Sequence, residues 1–191
     1  MSPSTHKIII IAAPSGAGKT SIVRHLLQCF PDQLCFSVSC ATRTPRASEK
    51  NGVDYYFISA EEFKERIEQD AFAEWEMVYE GKYYGTPRSE LNRIWSNGQT
   101  PLLDVDVKGG LNVKKYYPQS LSIFVEPPSL EILRERLEGR GTETETSLND
   151  RLSKASYEMS FRNEFDKIVV NDSLERACQE VEAWVRSYLS L

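Results

Sequence analysis

The stretch Ile8-Ile-Ile-Ile-Ala-Ala-Pro-Ser-Gly-Ala-Gly-Lys-Thr20 decides the fold. Four isoleucines and two alanines in an unbroken apolar run read as a strand buried on both faces. Directly after the glycine-rich segment, Ile22, Val23, Leu26, Leu27 and Phe30 recur at helical spacing, so a helix is predicted over Thr20–Phe30. Between strand and helix, Gly16 and Gly18 free the backbone to turn its N–H groups onto one point. The helix N-terminus adds partial positive charge, Lys19 a full one, and Thr20 a hydroxyl suited to a hard divalent cation. This is the spacing of a triphosphate-binding loop, with Ala13 standing where a first glycine is usual. Alanine serves there provided its φ is negative. A glycine-rich turn that binds nothing fits the same spacing, but the flanking strand and helix are the context a phosphate loop needs. The reading is a purine nucleoside triphosphate held by Ala13, Pro14, Ser15, Gly16, Ala17, Gly18, Lys19 and Thr20, with Mg²⁺ beside it.

Outward from that loop, further short apolar runs appear at Leu102–Val107, Leu121–Val125 and Lys167–Val170, with helical segments between them. The last, Leu174 to Leu189, is a clean amphipathic helix. Buried strands alternating with helices predict an α/β chain whose parallel sheet is covered on both faces. Ser59 with Glu62, Thr86 before Pro87, and Pro127-Pro128-Ser129 read as helix starts. Residues 34–84 break the rhythm with Phe36, Val38, Tyr55–Ile58 and Trp75–Tyr79, which predicts a small strand-rich insertion. Residues 139–150, with Leu148 their only large apolar residue, read as a mobile lid or a solvated loop.

The composition narrows the function. With 191 residues, one domain is expected. A net charge of −5 argues against broad capture of nucleic acid or of an anionic membrane, so any bound anion needs a local cluster of cations. The four cysteines form no CxxC pair and there are two histidines, which reads as free thiols in a reducing compartment. No stretch is long and apolar enough for a secretion signal or a membrane span, so a cytoplasmic protein is expected.

A second anion site is suggested by Ser37-Val-Ser39-Cys-Ala-Thr-Arg43-Thr-Pro-Arg46. Two arginines three apart in a proline-stiffened turn suit one phosphate, although such a pair is also common on solvated faces. At this point the chain resembles the guanylate kinases. The resemblance rests on APSGAGKT at 13–20, FSVSCATRTPR at 36–46, NGVDYYF at 51–57 and FAEWE at 72–76. It continues through YYGTP at 83–87, LLDVDVKG at 102–109, RLEGRGTETE at 136–145 and IVVND at 168–172.

The resemblance implies a P-loop nucleoside-monophosphate kinase fold. It has a five-stranded parallel core sheet (1–33, 87–136, 160–191), a small mixed β subdomain for GMP (34–86) and a helical lid (137–159). It implies that Arg43, Arg46, Tyr55 and Tyr84 grip the GMP phosphate, while Ser39, Glu74, Thr86 and Asp106 address guanine. A carboxylate at Glu74 can only accept hydrogen bonds, and guanine offers N1–H and a 2-amino group where adenine offers no N1 donor. Asp104 is implied near Mg²⁺ through water, together with Thr20. Arg136 and Asn171 are implied at ATP, and Lys19, Arg43, Arg140 and Arg151 as the catalytic cations. ATP and GMP are the implied partners of a monomer or weak homodimer, with neither nucleic acid nor membrane. Two rivals share these features: a scaffold-type guanylate-kinase-like module that binds without turnover, and a P-loop kinase for another nucleotide. One local departure stands out: Met77–Lys82 runs about one residue longer than the resemblance leads one to expect.

Overall fold

The structure is a computed structural model that describes residues 6–139 and 145–190. The apolar run becomes β1 (Ile9–Ala12), buried throughout. The segments that follow are α1 (Lys19–Cys29), β2 (Leu34–Phe36), β3 (Ser39–Ala41), β4 (Tyr55–Phe57) and α2 (Ala60–Glu68). Next come β5 (Phe72–Tyr79), β6 (Lys82–Pro87), α3 (Arg88–Ser96), β7 (Thr100–Val105) and α4 (Val107–Tyr116). The chain closes with β8 (Leu121–Glu126), α5 (Leu130–Glu138), α6 (Glu145–Met159), a 3₁₀ turn at Arg162–Glu164, β9 (Lys167–Val170) and α7 (Leu174–Leu189).

Five strands pair in parallel in the order β2-β7-β1-β8-β9, with β1 at the centre. Alternate residues of β1 serve opposite faces, as a strand requires. Ile9 and Ile11 pack with Ile22, Leu26, Val181 and Val185 of α1 and α7, while Ile8 and Ile10 pack with Leu91 of α3 and Val113 of α4. A smaller mixed sheet has the order β4-β3-β6-β5. It docks through β5 against α4, and Ala73 of β5 joins the cluster of Ile8, Ile10 and Val113. That contact places the small sheet over the carboxyl edge of the large one, where ligands of open α/β sheets sit.

Several expectations are corrected. Residues 34–36 are not part of the small sheet: β2 pairs with β7 through Leu34↔Thr100 and Phe36↔Leu102, so the insertion begins after Phe36. The strand over 102–107 ends at Val105, and Asp106 starts α4 by accepting from the Gly109 amide at 3.1 Å. Thr86 does not cap α3; Pro87 occupies the cap position and the Thr86 hydroxyl is spent on Glu74. Ser59 and Ser129 do cap, accepting from the amides of Glu62 and Ile132. Residues 145–150 are the first turns of α6, not a loop, because Leu148 is buried with Leu133, Leu137 and Ala155. Over 77–82 the pairing of β5 with β6 shifts register between Met77 and Tyr79, and a tight turn follows with Gly81 at φ 68°. All four cysteines are free thiols.

Candidate active site

The phosphate loop is shaped by left-handed glycines. Gly16 and Gly18 sit at φ 96° and 95°, while Ala13 avoids positive φ, which is why alanine serves there. A Cβ on Gly18 would lie 2.2 Å from the Asn171 side-chain nitrogen, so the loop cannot close over Asn171 with any other residue at 18. Asn171 lies beneath the loop, 4% exposed, and donates to the Ala17 carbonyl at 2.7 Å. The Ala17 amide folds back onto Pro14 O at 3.2 Å. Among the described residues, the amides of Gly16, Gly18, Lys19 and Thr20 find no backbone acceptor, leaving converging donors at a helix N-terminus.

Lys19 crosses from the loop to the end of β7. Its Nζ lies 2.6 Å from Asp104 Oδ1 and 2.5 Å from Val105 O. Burial works against its charge, but the Asp104 carboxylate outweighs that and holds the ammonium above its ordinary pKa. One cavity of about 340 Å³ joins this region to the small sheet. Ala13, Pro14, Ser15, Gly16, Gly18, Lys19 and Thr20 form one end. Ser39, Arg46, Tyr55, Glu74 and Tyr84 form the other, with Asp104, Asp106 and Arg151 between.

Glu74 is the most unusual group in that cavity. It is 7% exposed, accepts from Thr86 Oγ1 at 2.6 Å, and has no cation against it. Burial, opposed by the Thr86 hydrogen bond and reinforced by Asp106, pushes its pKa up to about 7. A Cβ at Gly109 would stand 2.8 Å from Asp106 Oδ1 and 2.9 Å from Glu74 Oε2, so glycine there makes room for two carboxylates side by side. Such a pair, Glu74 buried and Asp106 half-buried on the cavity wall, is built to accept from a ligand bearing several N–H donors.

Arg43 does not line the cavity wall. Its guanidinium holds Glu49 through two 2.6 Å bonds, Nη1 to Oε2 and Nη2 to Oε1, and its Nε donates to Tyr84 at 3.1 Å. Glu49 also accepts from the Arg46 amide at 2.8 Å, and this Arg43 pairing holds its carboxyl down at about 2. The Arg46 side chain is 67% exposed and reaches into the cavity. Arg136 donates to the Asn171 carbonyl at 2.8 Å, and Arg151 Nη1 lies 3.5 Å from Ser15 Oγ. Arg140 falls outside the described residues. Ala17 and Thr86 are fully buried and act through Asn171 and Glu74.

Sequence reasoning missed Glu49, Gly109, Lys154 and Glu158. The last two are one turn apart on α6 and line the cavity, their charged atoms 3.6 Å apart. Burial raises the Glu158 pKa, with Lys154 opposing and Asp106 adding to the rise. The i,i+4 spacing of Lys154 and Glu158 was the available signal; their approach to the loop from the far side was not. For a divalent cation, the oxygens of Thr20, Asp104 and Asp106 share one stretch of the cavity beside Lys19. Hard oxygen donors of this kind fit Mg²⁺.

Residues 5–188 match the family model described as guanylate kinase. The chain is 46% identical over 187 residues to a guanylate kinase of Bacteroides thetaiotaomicron, covering 97% of this chain and 91% of that one. It is 48% identical over 184 residues to a guanylate kinase of Salinibacter ruber, covering 96% and 97%. The fold superposes on the crystal structure of guanylate kinase from Anaplasma phagocytophilum with TM-score 0.74 and 29% identity, covering 94% of this chain and 84% of that one.

Proposed function

This chain belongs to the guanylate kinase family, and from that premise we infer its activity: it is an ATP:GMP phosphotransferase that converts ATP and GMP to ADP and GDP, a step of purine nucleotide metabolism. The observation that carries the reading is one cavity with converging loop amides at one end and the buried Glu74 carboxylate at the other.

We propose the following division of labour. The amides of Gly16, Gly18, Lys19 and Thr20 and the Lys19 ammonium hold the ATP phosphates, with Arg136 and Asn171 shaping that end. Arg46, Tyr55 and Tyr84 meet the GMP phosphate, and Arg43 supports them through Tyr84. Glu74 accepts from guanine N1–H and the 2-amino group, and Ser39, Thr86 and Asp106 complete the base pocket. Adenine would leave Glu74 buried and unpaired, at about 1–3 kcal/mol for each unmet partner. Thr20 and Asp104, the latter through water, are the groups that would hold Mg²⁺, which supplies charge neutralisation on the phosphates when bound.

The GMP phosphate is already anionic near neutral pH, so no strong general base is required. What this chain must do is hold two polyanions together with a phosphate oxygen in line with the γ-phosphorus. Lys19, Arg140 and Arg151 are the cations assigned to the transferring group, with Arg43 acting from behind Tyr84. Closure of the segment 137–159 would exclude water and so suppress ATP hydrolysis. Of the described residues, no helix is long and apolar enough to cross a membrane. A cytoplasmic monomer or weak homodimer that engages neither nucleic acid nor membrane completes the proposal.

The test is a coupled assay of nucleoside diphosphate formation with ATP·Mg²⁺ and each of GMP, AMP, CMP and UMP. Turnover with GMP alone is expected. Turnover with another monophosphate would overturn the Glu74 assignment. GMP binding with no turnover would move the chain to the scaffold-type binding module, against which the complete Gly16, Gly18, Lys19 and Thr20 set argues.

A further inference from the structure

On the face of the large sheet away from the cavity's small-sheet end, α1 and α7 pack against each other. Each presents a pair of metal-competent side chains one turn apart: His25 and Cys29 on α1, Cys178 and Glu182 on α7. His25 Nε2 lies 3.0 Å from Glu182 Oε2, and Cys29 Sγ lies 3.4 Å from each of those two atoms. The three residues are half-buried. Bond lengths of roughly 2.0–2.3 Å at tetrahedral angles put the ligand atoms of a zinc ion about 3.4–3.6 Å apart. The observed triangle is within a few tenths of an ångström of that on every edge.

Cys178, the fourth member, is 7% exposed and makes no hydrogen bond among the described residues. It packs in the same apolar cluster as Cys29 and lies one turn before Glu182 on α7. An unpartnered buried thiol thus stands behind the triangle. Arg186 engages the other carboxylate oxygen, Oε1, at 2.7 Å, which fixes the carboxylate and leaves Oε2 turned to His25 and Cys29.

We propose that His25, Cys29 and Glu182 bind Zn²⁺, tying α1, the helix that carries the phosphate loop, to α7. A nitrogen, a thiolate and a carboxylate suit this borderline-soft ion better than Mg²⁺, so the site is chemically separate from the one at Thr20 and Asp104. Binding exchanges one proton for the metal. The Cys29 S–H proton that now points to Glu182 goes to solvent, the proton that His25 Nε2 turns to Glu182 passes through solvent to Nδ1, and the sulfur, the freed Nε2 lone pair and Glu182 Oε2 take the ion.

The probe is Co²⁺ added to chelator-treated, fully reduced protein, followed by displacement with Zn²⁺. The wild type is expected to take up one equivalent with intense visible bands and a thiolate-to-cobalt charge-transfer band, both erased by Zn²⁺. Cys29→Ser should lose the charge-transfer band, and His25→Ala should weaken Co²⁺ binding at least tenfold. Both variants should keep wild-type GMP turnover, which certifies that they are folded. A wild type without the charge-transfer band would reduce the cluster to a hydrogen-bonded triad and overturn the proposal. So would a band that survives in Cys29→Ser, since the metal would then sit on another thiol.

Discussion

The two ends of the cavity present their hydrogen-bond donors by opposite means. At the phosphate loop the donors are backbone: four amides aimed by two left-handed glycines, with the Lys19 ammonium, itself tethered to Asp104, beside them. At the small sheet the donors are side chains drawn from separate segments, and their cation is already matched to a carboxylate, Arg43 to Glu49. A backbone cradle is set once the turn forms, and its cost lies in glycine's conformational entropy. A side-chain cradle has to be held rigid by other side chains, so its precision depends on residues that never touch ligand. The first suits any phosphate; the second leaves room for the base-reading role proposed for Glu74.

The comparison breaks most sharply at Lys19. Lys19→Met should lower GMP-dependent turnover by about 10³-fold, in the range of removing one oriented charge-stabilising donor. Its circular dichroism and melting should stay close to wild type. Turnover within tenfold of wild type would mean that the amides alone do the work of that end.

Next in size is Glu74→Gln, which keeps the shape but turns an N–H₂ toward the donors of guanine. The GMP KM should rise about 100-fold, as the loss of two charge-assisted hydrogen bonds implies, with the ATP KM changed less than twofold. Because the free carboxyl titrates at about 7, wild-type GMP binding should also weaken as pH falls from 8 to 6. The glutamine variant should show only the smaller change due to the GMP phosphate itself. The stability sign runs the other way. A buried carboxyl raised from 4.5 to about 7 stabilises the fold fully below pH 4.5, and that contribution is lost as pH rises through 7. Without ligand, Glu74→Gln should therefore melt higher than wild type at pH 8. Parallel pH profiles for the two proteins would place the titrating group elsewhere.

Glu49→Gln sharpens the contrast, because its sign separates two roles. If Glu49 orients Arg43 and the Arg46 turn, as three hydrogen bonds argue, the GMP KM rises about tenfold, the equivalent of ~1.4 kcal/mol, while the ATP KM is unmoved. Tighter GMP binding would show instead that Glu49 occupies Arg43 in place of phosphate and must be displaced.

The same contrast explains what could be read from the chain alone. The phosphate loop, four strands of the parallel sheet and α7 are encoded locally, in runs where period and glycine placement suffice, while the count of five strands is what the resemblance implies. The small sheet's edge was misread at Phe36, since a three-residue strand carries no period and its partner Leu102 is far away in sequence. Residues 145–150 read as a lid or loop because within them Leu148 is the one apolar residue, and its partners Leu152 and Ala155 lie further along α6, a face that suffices only when α5 lies against it. Tyr55, Tyr84 and Glu74 came from resemblance, since aromatics in a small sheet look like packing. Glu49 and Gly109 carried no signal that survives without coordinates: one is a carboxylate in a charged turn, the other half of a Gly-Gly pair. Their meaning lies in what stands opposite.

The smallest effect tests how finely Glu74 is tuned. Thr86 is fully buried, and its hydroxyl donates to Glu74 Oε1, favouring the ionised form. Thr86→Val removes that donor with little change in volume, so the carboxyl titrates at higher pH and a larger fraction is protonated at neutrality. At pH 7 the GMP KM should rise a few-fold, on the order of one neutral-to-charged hydrogen bond partly offset by repacking. Raising the pH to 9 ionises Glu74 in both proteins, and the gap should close. A gap that persists at pH 9 would assign Thr86 a direct contact with the base, making this end of the cavity a set of separate contacts instead of one supported carboxylate.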